Sequence, residues 1–208
     1  MYEAKTKVIL QTVEVTKRRQ VGILGGNFNP VHNAHLAIAD QVQQQLGLDV
    51  VYLMPEFLPP HIDEKQTICS EHRLNMLQLA VQNNPRLEIE TIELHRGGKS
   101  FTYDTMKVLI EKNPDTDYYF IIGGDMVEYL PKWYKIDELV QMVQFVGVQR
   151  PGYKVGTSYP VIWVDLPKMD LSSSTIRKMF ASNNEPRYMM PPLVIKYIQE
   201  KGLYLDEE

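Results

Sequence analysis

A chain of 208 residues with 44% hydrophobic and 23% charged residues has an ordinary globular composition, and its length suits one domain with a full core. Its net charge of -4 argues against a general nucleic-acid binder, which would be basic, and a single cysteine, Cys69, excludes an intrachain disulfide or a zinc site of several cysteines. No apolar run reaches the roughly 18 residues of a membrane span, and residues 1–20 lack the apolar stretch of a signal peptide, so a cytoplasmic protein with no membrane partner is expected.

Residues 1–19 are expected to form an N-terminal tail, with the domain proper spanning 20–208. Val21, Gly22, Ile23 and Leu24 predict a short strand, broken by Gly25 and Gly26. Neither glycine carries a Cβ, so the backbone there can turn sharply or lie close to a ligand. Asn29-Pro30 marks the next turn. His32 and His35 follow, and Leu36, Ile38, Ala39, Val42 and Leu46 predict a helix over 35–46, closed by Gly47. The free N–H groups and positive dipole end of such a helix suit an anion such as phosphate. The turn is neither a Walker A loop nor a G-x-G-x-x-G fingerprint. Taken alone, it is equally compatible with two solvated histidines.

Residues 50–54 predict a second buried strand with the unbroken apolar character of a parallel sheet. A polar loop carrying Pro59, Pro60 and His61 leads to a helix over 71–81. Alternating apolar and charged residues over 87–94 predict a strand with one exposed face. A helix over 103–111 precedes a buried strand over 117–122, which is stopped by Gly123, Gly124 and Asp125. Short helices follow over 126–130 and 136–142, then strands over 145–148 and 161–164. Helices from Ser172 to about Ala181 and over 192–201 end the chain, the last closed by Gly202. This alternation predicts a single α/β domain with a doubly wound, mostly parallel, Rossmann-like sheet.

In such sheets ligands bind beyond the carboxyl ends of the strands. The polar signals fall there: Gly25, Gly26, His32 and His35, then His61, Gly123 and Asp125, Arg150, and finally Ser172, Ser173, Ser174 and Arg177. Serines at a helix start are usually N-caps. Three in a row with an arginine one turn later make a second candidate phosphate cradle. Two cradles suggest a polyphosphate, or two phosphorylated substrates meeting.

At these two motifs the chain resembles the nucleotidyltransferase superfamily, with its H-x-G-H turn and I-S-S-T-x-I-R segment. Within it, the chain is similar to the bacterial nicotinate-mononucleotide adenylyltransferases. The resemblance rests on Gly25-Gly-Asn-Phe-Asn-Pro-Val-His-Asn-Ala-His-Leu36, Pro59-Pro-His61, Ser100-Phe-Thr-Tyr-Asp-Thr105, Ile121-Ile-Gly-Gly-Asp-Met126, Tyr129-Leu-Pro-Lys-Trp-Tyr134, Arg150-Pro-Gly152 and the segment from Leu171 to Arg177. It covers roughly residues 20–205. The chain departs from the pattern at Ala34, where glycine is usual, at Asn29, at Ser174 and at Ile62. Ala34 is tolerable provided its φ is negative.

The resemblance implies transfer of AMP from ATP to nicotinate mononucleotide, with Mg²⁺ arriving on ATP. It implies catalytic roles for His32, His35 and Arg177. ATP would be held by these three with Gly25, Gly26, Asn27, Phe28, Gly123, Arg150, Ser172, Ser173 and Ser174. The acceptor would be held by Thr102, Asp125, Trp133 and His61. Trp133 would stack on the pyridine, its neighbours Pro131, Lys132 and Lys135 suggesting a loop rather than core. Asp125 could instead cap the helix that follows it. Two other readings remain: a sibling adenylyltransferase with an acceptor such as phosphopantetheine, and a nucleotide sensor without turnover. A zinc hydrolase built on the two histidines lacks a third ligand at plausible spacing. A homo-oligomer is compatible with all of these.

Overall fold

The computed structural model describes residues 17–58, 67–149, 156–167 and 169–205. His61 and Arg150 lie outside these residues. The strands are β1 (Arg19–Gly26), β2 (Val50–Pro55), β3 (Leu87–Ile89), β4 (Thr116–Gly123), β5 (Gln144–Gln149) and β6 (Val161–Asp165). They form one sheet in the order β3-β2-β1-β4-β5-β6, and every pairing is parallel. The chain therefore winds outward from β1 in one direction and from β4 in the other. The switch point lies between these two central strands, where such sheets open a crevice for ligands.

The helices are α1 (Asn33–Leu46), α2 (Ser70–Val81), α3 (Ile92–Arg96), α4 (Thr102–Lys112), α5 (Gly124–Val127), α6 (Ile136–Met142), α7 (Ser173–Ala181) and α8 (Pro192–Lys201). A two-sided core explains the continuous apolar strands. Val51 and Leu53 of β2 and Leu24 of β1 pack with α1, α2, α7 and α8 through Val42, Leu77, Ile176 and Val194. Val50 and Met54 with Val21 and Ile23 point the other way, towards Met106 and Leu109 of α4 and Leu139 of α6. The period-two alternation of a strand sorts each residue to its face. Ile176 is fully buried and fixes α7 against the sheet; truncating such a residue to alanine costs about 2–5 kcal/mol.

Three elements depart clearly from sequence expectation. The alternating segment 87–94 is a strand only over Leu87–Ile89. The Glu90 carboxylate accepts the Ile92 N–H at 2.8 Å and so starts α3, and Glu93 turns inward to accept the Thr105 hydroxyl at 2.7 Å. A local cap and one buried carboxylate thus override the period of two. Second, the expected helix over 126–130 is divided: α5 starts earlier, at Gly124, and a 3₁₀ turn over Leu130–Lys132 follows, with Pro131 at its start. Third, Gly25 and Gly26 do not break β1 but remain in register with Met54 and Pro55 of β2.

Candidate active site

The chain leaves β1 at the switch point and crosses to α1 in six residues. The sharp turn is made by Phe28, whose φ of 49° lies in the left-handed region, and not by the glycines. A non-glycine residue there is strained, and strain of this kind concentrates at binding sites. Phe28 is buried, and its ring sits where Gly26 lacks a side chain: a Cβ on Gly26 would lie 3.2 Å from it. The other face of the turn meets His35, whose ring lies edge-on to Phe28 at 5.0 Å. Gly26 is needed for close approach, not for an unusual φ.

This loop has little regular structure of its own, and elements distant in sequence tie it down. Arg73 of α2 donates to the Asn27 carbonyl at 2.9 Å. Arg177 of α7 donates to the Asn29 carbonyl at 2.9 Å, and the Ser173 hydroxyl to the Pro30 carbonyl at 2.9 Å. The Tyr204 hydroxyl donates to Asn29 Oδ1 at 2.7 Å. Asn33, the first residue of α1, donates its main-chain N–H to Met189 O at 2.8 Å and its side-chain amide to Tyr188 O at 2.7 Å. The two motifs read as separate cradles, 25–35 and 172–177, are therefore joined directly, with the N-terminal ends of α1 and α7 beside one loop.

His32 is the N-cap residue of α1 and His35 lies within its first turn. Their rings stack at 3.7 Å. The His32 main-chain N–H donates to His35 Nδ1 at 3.2 Å. In the neutral imidazole this leaves the proton on Nε2, which makes His35 a donor at its outer nitrogen. Burial pushes the His32 pKa down to about 4. His35 is also lowered well below its ordinary value, first by burial and then by the proximity of His32. Before substrate binds, both are thus neutral at pH 7, each with one N–H to offer. An incoming polyphosphate would raise both pKa values, since an opposite charge favours the charged form. Ala34 lies in α1 with helical backbone, so the departure from glycine carries no φ penalty.

The three serines have separate tasks. Ser172 is the N-cap of α7: its Oγ accepts the Thr175 N–H at 3.1 Å and meets the Thr175 hydroxyl at 2.8 Å. Ser173 holds Pro30, and Ser174 is exposed at the start of α7. Two of the three hydroxyls are committed to positioning the helix terminus and the loop. Between them they fix the placement of α7, the helix that carries Arg177.

Across the switch point, Gly123 caps α5, and a Cβ there would lie 2.6 Å from Asp125 Oδ1. Asp125 thus folds back over the end of β4 rather than capping the helix. Thr102 is the half-buried first residue of α4. Trp133 follows the 3₁₀ turn, as expected of a loop residue, but its ring is half-buried and packs edge-to-face on Phe120 at 6.0 Å and Phe145 at 5.9 Å. Phe120 in turn lies beside Gly25, 3.4 Å from where a Cβ would be. One aromatic ring therefore separates Trp133 from the glycine end of β1. More exposed rings sit alongside: Phe101 and Tyr103 both contact Tyr134, at 5.3 and 5.9 Å.

Sequence reasoning missed a buried polar group beneath the site. Arg73 is 1% exposed, and Glu93 is likewise buried. Burial, with the nearby Glu93 charge, pushes the Glu56 carboxyl up to about 7, against the opposing pull of Arg73. Burial also raises Glu93. No local pattern marks these residues, because their partners are mostly main-chain carbonyls and hydroxyls from other segments. Among the described residues no group of three or more His, Cys, Asp or Glu side chains could hold a metal. A Mg²⁺ held mainly by nucleotide phosphates needs only one or two carboxylates, and Asp125 is a carboxylate at the right strand end. No helix among the described residues is long and apolar enough to cross a membrane.

A parallel sheet of order β3-β2-β1-β4-β5-β6, with two helix N-termini and a histidine pair at its switch point, defines a class of nucleotide-handling enzymes. The cytidylyltransferase-like family model matches residues 23–179, which include both motifs, and the chain belongs to that family. Within it, the chain belongs with the nicotinate-nucleotide adenylyltransferases. Curated relatives named as probable nicotinate-nucleotide adenylyltransferases include one from Streptococcus pneumoniae serotype 4, 68% identical over 200 residues and 96% of both chains. Another, from Enterococcus faecalis, is 68% identical over 190 residues, 91% of this chain and 87% of the relative. The fold is shared with the nicotinic acid mononucleotide adenylyltransferase of Plasmodium falciparum, solved in complex with NaAD. The TM-score is 0.76 at 23% identity, over 89% of this chain and 97% of that one.

Proposed function

We propose that the protein transfers the adenylyl group of ATP to nicotinate mononucleotide, forming nicotinate adenine dinucleotide and pyrophosphate, as a step of NAD biosynthesis. The observation that carries this reading is the direct joining of the two motifs by the Ser173–Pro30 and Arg177–Asn29 hydrogen bonds. It sets the N-termini of α1 and α7 and the His32–His35 pair around one loop, as a triphosphate requires. The acceptor phosphate attacks the α-phosphorus of ATP; a P–O bond forms there, and the bond to the β-phosphate oxygen breaks. The second pKa of a phosphate monoester is about 6, so the nucleophile is largely ionised and no general base is needed. Catalysis reduces to aligning two anions and stabilising charge at phosphorus.

In this reading Gly25, Gly26, Asn27 and Phe28 shape the ATP side, with Gly123 at the opposite strand end. His32, His35 and Arg177 donate to the phosphates, and Ser172, Ser173 and Ser174 place α7. Arg150 belongs to the same set by resemblance. Mg²⁺ arrives with ATP and offsets charge on its phosphates. Thr102, Asp125, Trp133 and His61 serve the acceptor. The names of the curated relatives support the pyridine acceptor over phosphopantetheine. In this reading the reaction takes place in the cytoplasm. In this reading no site residue lies ahead of Arg18, which donates to Asp117 at 2.6 Å, so deletion of residues 2–16 should leave kcat unchanged.

The test is pyrophosphate release with ATP and a panel of mononucleotides. A carboxylate facing N–H and hydroxyl donors gains charge-assisted bonds about twice as strong as neutral ones. The amide of nicotinamide mononucleotide would leave donors unpaired at a cost of about 1–3 kcal/mol each. The expected kcat/KM therefore favours the acid by about two orders of magnitude. Equal use of both, or activity only with a non-pyridine acceptor, would overturn the assignment.

A further inference from the structure

We infer that Arg73 is a positioning residue that locks the ATP side of the site to the acceptor side. The inference rests on the adenylyl-transfer reading above and adds to it a residue that touches neither substrate.

Arg73 lies on the buried face of α2 with Met76 and Leu77. Its guanidinium hydrogen bonds go to main-chain carbonyls from two different segments. Nη1 donates to the Asn27 carbonyl at 2.9 Å and to the Glu56 carbonyl at 2.8 Å, and Nη2 to the Phe57 carbonyl at 3.4 Å. Asn27 belongs to the loop between β1 and α1. Glu56 and Phe57 are the residues on which the chain leaves β2. One planar fork therefore spans the exits of adjacent strands, a geometry lysine cannot reproduce with a single point charge.

The connection continues towards the acceptor residues. The Phe57 N–H donates to the Ser100 hydroxyl at 3.3 Å, and the Ser100 N–H returns to the Leu58 carbonyl at 3.2 Å. Leu58 and Lys99 form a parallel bridge. Two residues beyond Ser100 stands Thr102, the start of α4. An unbroken line of hydrogen bonds and chain thus runs from Asn27 through Arg73, Phe57 and Ser100 to Thr102.

The energetic argument points the same way. A buried guanidinium must lose its hydration, and an apolar side chain of similar volume on α2 would often serve the core as well or better. What methionine or leucine could not do is fix the spacing of two strand exits. In a reaction between two bound anions the catalytic gain lies in their alignment, and a displacement of about 1 Å can cost roughly 10²-fold in rate.

The experiment compares wild type with Arg73→Lys and Arg73→Met. Folding is followed by circular dichroism, and site integrity by the stoichiometry of binding of a non-reacting ATP analogue. kcat and both KM values come from pyrophosphate release. The expected result is full binding stoichiometry with kcat reduced roughly 10²-fold in Arg73→Met, both KM values changing far less, and partial recovery in Arg73→Lys. Wild-type kcat in both variants would overturn the inference. So would a kcat that falls only in step with binding stoichiometry, or failure of both variants to fold, since either would make Arg73 a core residue alone. The wild-type assay keeps the two claims apart. No turnover of nicotinate mononucleotide by wild type refutes the proposed function, whereas an active wild type with unaffected variants refutes only the role of Arg73.

Discussion

The ionisable groups buried around the site make stability a function of pH, and two of them act in opposite directions. His32 is lowered from 6.5 to about 4 by burial. The unfolded chain binds that proton more readily, so the contribution of His32 is fully present above pH 6.5 and is lost as pH falls towards 4. Glu56 is raised from 4.5 to about 7 by burial and the neighbouring Glu93. Here the folded chain holds the extra proton, so stability is greatest below pH 4.5 and is lost as pH rises through 7. Integrated between roughly pH 5 and pH 7, each shift is worth about 2 kcal/mol, with opposite sign. His35 adds to the histidine side and Glu93 to the glutamate side, so wild type should show a shallow dependence. Glu56→Gln removes one opposing term, and its stability should rise by about 2 kcal/mol more than wild type over that interval. His32→Asn should rise by about 2 kcal/mol less, or fall. The assay is urea denaturation at fixed ionic strength across that pH range, without nucleotide. Three parallel stability curves would refute the burial argument for both residues.

Other consequences are simpler to read. His35→Ala should lower kcat by roughly 10²–10³-fold with folding intact, the usual loss for one transition-state donor, and steady-state kinetics with a melting curve check this. Trp133→Ala should raise the acceptor KM and spare that of ATP. It should also lose about 1–3 kcal/mol of stability, because the edge-to-face contacts with Phe120 and Phe145 go with the ring. An unchanged acceptor KM would confine Trp133 to the core. Ala34→Gly should keep activity but cost about 1 kcal/mol of helix stability, visible by calorimetry as a melting point lower by roughly 2–4 °C.

Much of this architecture is legible in the chain because strand and helix periods are strong and their stops are chemical. Gly47 and Gly202 end α1 and α8 in left-handed conformation, with φ of 63° and 60°, as their position after an amphipathic run implies. The two motifs could be read as candidate anion sites only because they converge on one edge of the sheet, since a histidine pair or N-cap serines alone have commoner uses. Their direct contact could not be read, since it depends on where β1 and α7 lie in the sheet. Phe28 was equally hidden: glycine is the residue expected to turn, yet here Gly26 makes room and phenylalanine takes the positive φ. Arg73 resembles an ordinary surface charge on a helix, and Glu93 one on the exposed face of a strand, until the fold buries them.

The tethers of the loop between β1 and α1 bear on when the enzyme comes into being during synthesis. The loop is complete in the first few dozen residues, but the groups that hold it arrive at positions 73, 173, 177, 188, 189 and 204. The contact between Tyr204 and Asn29 closes across 175 residues of chain. Contacts that distant in sequence form late, after the entropy of closing the intervening chain has been overcome. A ribosome-bound chain that has made β1, β2 and β3 thus has the histidines and the turn at Phe28 but not the geometry to use ATP. Truncation just ahead of Tyr204 should leave most of the sheet intact and the enzyme idle, so that competence for chemistry reports completion of the whole fold.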